Sequence, residues 1–138
     1  MTAKQYLLQY KLLTAKIENL EQDLAELREA RSSISINLDG MPHGTDLSDK
    51  TARLAAQLAD MEEDILDLRS EAWRTRLRII HVLSKVETPE HNTLLHKRYL
   101  EDKTWEQIAV EMHYTYQWVA GPLHGQALQA VEKILDSN

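Results

Sequence analysis

Apolar residues recur through the N-terminal half in alternating steps of four and three. The first train is Tyr6, Tyr10, Leu13, Ile17, Leu20, Leu24 and Leu27, followed by Arg31 and Ile34. A second runs Leu47, Thr51, Leu54, Leu58, Met61, Ile65, Leu68, Ala72, Thr75, Ile79, Val82 and Val86. A sustained period near 3.5 residues keeps one stripe of a helix facing a supercoiled partner. Strands alternate every two residues and are excluded here. Between the trains, "NLDGMPHGTDLSD" gathers Gly40, Pro42 and Gly44, which end the first helix. Asp46 or Ser48 is placed to cap the next helix, with Asp49 in its positive first turn. At about 1.5 Å per residue the helices are expected to be roughly 45 and roughly 60 Å long. A short connection favours an antiparallel hairpin, predicted over residues 1–87 with its loop at about 37–48. One such seam buries little surface, so a homodimer through the hairpin is expected.

Beyond Glu87 the pattern shortens into a second predicted domain, 88–138. Thr88-Pro89-Glu90 is a helix start: a capping hydroxyl, proline at the first helical position, then an acid facing the helix dipole. That helix carries Leu94, Leu95 and Tyr99 and stops at "EDK". Thr104 opens the next, and Gln107 three residues on completes a capping box. Trp105, Ile108, Ala109 and Met112 form its inner face, His113 and Tyr114 the turn, and Thr115 caps a third helix. Small Ala109, with Ile108, Met112 and Val119 around it, is the spacing of a helix-turn-helix, in which two helices cross closely. Tyr114 is expected to plug the turn and Trp118 to fold onto the core. The overall expectation is all-α: a long antiparallel hairpin, then a three-helix helix-turn-helix domain.

Composition sharpens this picture. The chain has 138 residues and a formal charge of −6, which argues against indiscriminate coating of nucleic acid. Residues 69–87, with five basic and two acidic side chains, are the basic stretch. No Arg or Lys lies between Glu106 and Val131. No run of apolar residues suffices to cross a membrane, and "MTAKQYLLQYKLL" lacks a cleavable leader pattern, so a cytoplasmic protein is expected. The absence of cysteine excludes disulfides and thiolate chemistry. His91 and His96 fall on different helix faces, and the acids around Met61 and Ile65 lack a calcium loop, so no metal or cofactor is expected. No nucleophile–base pair or phosphate-cradling glycine loop is visible, and no enzyme activity is expected.

"LLHKRYLEDKTWEQIAVEMHYT", followed by "LHGQAL", resembles the C-terminal domain of small phage and prophage transcriptional regulators. Their helix-turn-helix is similar to region four of bacterial sigma factors. The likeness extends to "MPHGTDLSD" and "LADMEEDI", and so over most of the chain. The resemblance implies a regulator in a bacterial host that binds double-stranded promoter DNA and touches RNA polymerase. Thr115, Tyr116, Gln117 and His124 are the base-facing candidates, with Ala120 and Gly121 on the same side; Gln117 suits an adenine edge. Lys97, Arg98 and Lys103 are candidates for flanking phosphates, and Arg74 and Arg78 for a second backbone contact. The chain departs from the family pattern at Ala120-Gly121-Pro122, which is one residue longer. Proline in a helix interior costs about 3 kcal/mol, so a break is expected, with a fresh helix starting at Pro122; a kinked continuous helix is the lesser alternative. The alternative function is an adaptor whose bundle docks on polymerase or another phage protein without reading DNA, or a DNA-packaging subunit.

Overall fold

A computed structural model describes the backbone of residues 1–38 and 45–137, and the side chains of residues 1–33 and 49–137. All regular structure among the described residues is helical. Helices α1 (Ala3–Leu38) and α2 (Thr45–Leu83) come first. Then come α3 (Pro89–Leu95) with a π turn (His96–Leu100), α4 (Trp105–Met112), and α5 (Tyr116–Trp118), which passes through a second π turn (Val119–Leu123) into α6 (His124–Asp136).

The chain divides into two compact units: one of residues 14–71, the other of residues 1–13 with 72–138. Both boundaries fall inside α1 and α2 rather than between residues 87 and 88. In the first unit Glu21 pairs with Arg69 and Arg28 with Glu62 at 2.6 Å, so the two helices run antiparallel. The core here is thin: Ile17 and Leu24 from α1, Leu58 and Ile65 from α2. One position per heptad is buried, which is what a two-helix seam can cover. At 36 and 39 residues the helices are about 54 and about 58 Å long, closer in length than the pattern suggested. The α1 helix carries on through Leu38, into the span expected as loop. The remaining loop residues, 39–44, lie outside those described. Helix α2 starts at Thr45, ahead of the Asp46 and Ser48 expected as its caps.

The second unit holds the main core. Ala3 and Leu7 from α1 join Ile79, Val82 and Leu83 from α2, Leu94, Leu95 and Tyr99 from α3 and its π turn, Ile108 and Ala109 from α4, and Val119, Leu123, Ala127 and Val131 beyond it. Leu7 is fully buried although it lies off the Tyr6–Tyr10 train. Tyr6, Leu7 and Leu8 form a triplet of consecutive apolar residues, which widens the stripe enough to meet more than one neighbour. The first turns of α1 are thus part of the C-terminal bundle.

The expected break at Gly121-Pro122 does not occur. Helical backbone continues from Tyr116 to Asp136, with Pro122 inside the π turn. A π turn closes i→i+5 rings and holds one residue more than an α turn. Pro122 is therefore accommodated by widening the turn rather than by ending the helix, and the wider ring eases the crowding that proline causes against the preceding turn.

Candidate nucleic-acid interface

The helix-turn-helix is assembled by local chemistry. The Thr104 hydroxyl accepts from Gln107 N–H at 3.2 Å, and the Gln107 side chain accepts from Thr104 N–H at 2.9 Å, closing the capping box. At the other end of α4, His113 adopts the left-handed conformation (φ 60°). His113 N–H then reaches Val110 O at 3.3 Å and Tyr114 N–H reaches Ala109 O at 3.0 Å. This pair of bonds is the Schellman pattern, which satisfies the last carbonyls and turns the chain sharply. Thr115 then caps α5, its hydroxyl accepting from Trp118 N–H at 3.2 Å.

Ala109 is buried, with Ile108 and Val119 beside it in the core, and α4 packs on α5 and on the turn that follows it. Thr115, Tyr116 and Gln117 are exposed, and Ala120 is half-buried. Tyr114 is not a plug. It stands exposed, its hydroxyl donating to the Glu90 carboxylate and its ring meeting Trp118 edge-on at 6.4 Å. Trp118 is likewise exposed rather than folded inward. The core behind the turn is closed by Ile108 and Val119 instead, so two bulky rings remain at the surface.

His124 departs most from its expected place. It is buried at 9% exposure, sharing a 2.7 Å hydrogen bond between its Nε2 and the Tyr99 hydroxyl, with its ring stacked on Tyr99 and edge-on to Trp105 at 4.7 Å. The extra residue in the π turn rotates the start of α6, carrying His124 to the inner face. Burial first, then the nearby charges of Lys4 and Arg98, lower its pKa to about 4. Burial raises the Tyr99 phenol to about 12, against a smaller opposing effect of Arg98. Both groups are therefore neutral at pH 7.

Of the phosphate candidates, Lys97, Arg98, Lys103 and Arg78 are engaged within the protein. Lys97, at 3.4 Å, and Lys103 both pair with Glu111, whose carboxyl is lowered chiefly by its bond to Lys103. These are surface pairs, weak enough for a phosphate to displace. The Arg98 guanidinium lies 4.5 Å above the Trp105 ring and donates to Lys103 O at 3.1 Å. Arg74 and Arg78 are exposed on α2, Arg78 donating to Thr75 Oγ1 at 3.1 Å. One cation was not anticipated: Lys4, brought beside Arg98 and Ala120 by the first turn of α1. No local spacing marks it; only the apolar triplet after it points to that packing.

Charge separates with the two units. The unit of residues 14–71 carries six basic and fourteen acidic side chains, net −8, while the other carries ten and eight, net +2. No helix among those described is long and apolar enough to cross a membrane. No family model matches the chain, and neither a curated protein nor a solved structure matches it.

Proposed function

We propose that the C-terminal unit binds double-stranded DNA through its helix-turn-helix and acts in transcription control. The observation that carries this reading is the crossing at buried Ala109, where α4 packs on α5 and Val119 just beyond α5 is sealed in the core, while Thr115, Tyr116 and Gln117 are exposed. A short exposed helix behind a tight turn is the geometry that enters the major groove. Gln117 is placed for an adenine edge and Tyr116 for a thymine methyl or a phosphate. The unit's net positive charge supplies attraction to phosphate that the recognition segment, with no Arg or Lys of its own, does not. The resemblance to phage and prophage regulators supports transcription as the setting and RNA polymerase as a second partner. Catalysis has no part in this function.

A second reading is favoured by one observation: Tyr114, Tyr116 and Trp118 expose aromatic surface in a segment without cations. In that reading the same face docks on a protein, polymerase included, and reads no bases.

Selection from a randomised duplex pool separates the two. DNA reading predicts an enriched sequence, with Gln117→Ala losing about 1–3 kcal/mol of discrimination at one base pair. An unenriched pool, or a Gln117→Ala variant that selects the wild-type sequence equally well, contradicts it.

A further inference from the structure

A polar cavity of about 150 Å³ lies in the C-terminal unit, between the first turn of α1 and the two π turns. Its lining includes Lys4, Arg98, Tyr99, Trp105 and His124, with Ala120 at one side, and no lining residue is acidic. Among the described residues Lys4 forms no ion pair, and Arg98 has only the Lys103 carbonyl and the Trp105 ring as partners. Two cations thus face one small space with no carboxylate to balance them. The other polar groups of the wall, the Tyr99 hydroxyl and His124 Nε2, are tied to each other. The Arg98 guanidinium is held 4.5 Å above the Trp105 ring, and a guanidinium presents a fork of donors suited to an oxyanion. The volume admits a tetrahedral anion with some of its hydration.

We propose that this cavity is a binding site for one phosphate-class oxyanion, held between Lys4 and Arg98 over the Trp105 face. The anion is either a free phosphate or a phosphate of a nucleic-acid backbone. It touches Ala120, so its occupancy bears directly on the wide turn that follows α5. The groups facing His124 are Lys4 on α1, Arg98 and Tyr99 on the first π turn, and Trp105 on α4. An anion that offsets the two cations makes protonation of that ring easier.

The test is a titration of the full chain with inorganic phosphate at constant ionic strength, balanced with chloride and followed by NMR of Trp105 and His124. Saturable shifts at both rings are expected, with the His124 pKa moving upward from about 4 at saturation. Lys4→Gln is expected to raise the phosphate Kd about tenfold or more, roughly the effect of one lost charge-assisted bond, and to leave the thermal midpoint in chloride unchanged. Arg98→Lys, which retains the charge and loses the fork, is expected to weaken binding as well. Non-saturating shifts, or a Lys4→Gln titration that superimposes on wild type, would overturn the site. A duplex that competes with phosphate, and is itself weakened by Lys4→Gln, supports the site as a backbone contact. Independent binding of both supports it as a free-phosphate site. If no duplex binds, the DNA reading fails and the phosphate titration still decides the cavity.

Discussion

His113 terminates α4 in a conformation that costs an L-residue with a side chain about 1–2 kcal/mol, and the turn depends on it. Glycine adopts that geometry without strain but loses more chain entropy on folding. His113→Gly is therefore expected to stabilise the unit by about 0.5–1 kcal/mol in urea unfolding; destabilisation would mean that the imidazole has a role beyond the backbone. His124 carries a pH dependence. Folded, it titrates near 4, and unfolded near 6.5, so as pH falls the unfolded chain binds the proton first. Its contribution to stability is full above about pH 6.5 and declines towards pH 4, by ~3 kcal/mol in total. His96, lowered chiefly by its own burial, acts in the same direction. His124→Leu is expected to flatten this decline. At pH 7 it is expected to cost about 1–3 kcal/mol, because it leaves the buried Tyr99 hydroxyl without its partner. A pH profile as steep as wild type would show that the Tyr99–His124 pair does not set it.

The elements read best from sequence were those with chemistry at their ends. The capping box at Thr104 and Gln107 and the cap at Thr115 satisfy orphan backbone groups by short-range bonds, so local residues suffice to place them. At α3 the proline start is as expected, Pro89 having no N–H to satisfy there, but the Thr88 hydroxyl expected as its cap makes no such bond. The long helices were legible for a related reason: a heptad stripe makes sense only against a partner of equal period. Turns beyond the α-helix were not legible. Neither π turn is marked by composition, and an extra residue reads equally well as a break or as a widening until the packing of Val119 and Leu123 is known. Burial of both favours widening, because a break between them would remove one from the core. Deleting Gly121 takes away the residue that widens the turn and forces Pro122 into an α turn. A loss of about 3 kcal/mol is expected from urea unfolding; unchanged stability would mean that the wide turn is not what accommodates the proline.

At the scale of the whole chain, a boundary drawn at residue 88 follows the motifs, whereas contacts follow the core, and the core takes in both ends of the sequence. That assignment rests on Leu7, which shares its buried core with residues from Ile79 onward, more than seventy residues away in the chain and beyond the reach of any periodicity argument. Leu7→Ala is expected to cost about 2–5 kcal/mol, with the change reported by Trp105 fluorescence; a negligible cost would detach α1 from the bundle. The same packing brings Lys4 beside Ala120 in the π turn after α5 and gives its unit a net positive charge in an otherwise acidic protein. Whether that charge serves DNA is the central claim. The most direct measurement is the affinity of the full chain for duplex DNA as a function of salt. With two to four phosphates contacted at about −0.9 each, log K is expected to fall against log salt with a slope of roughly −2 to −4. Absence of binding at low salt, or an affinity indifferent to salt, would contradict it.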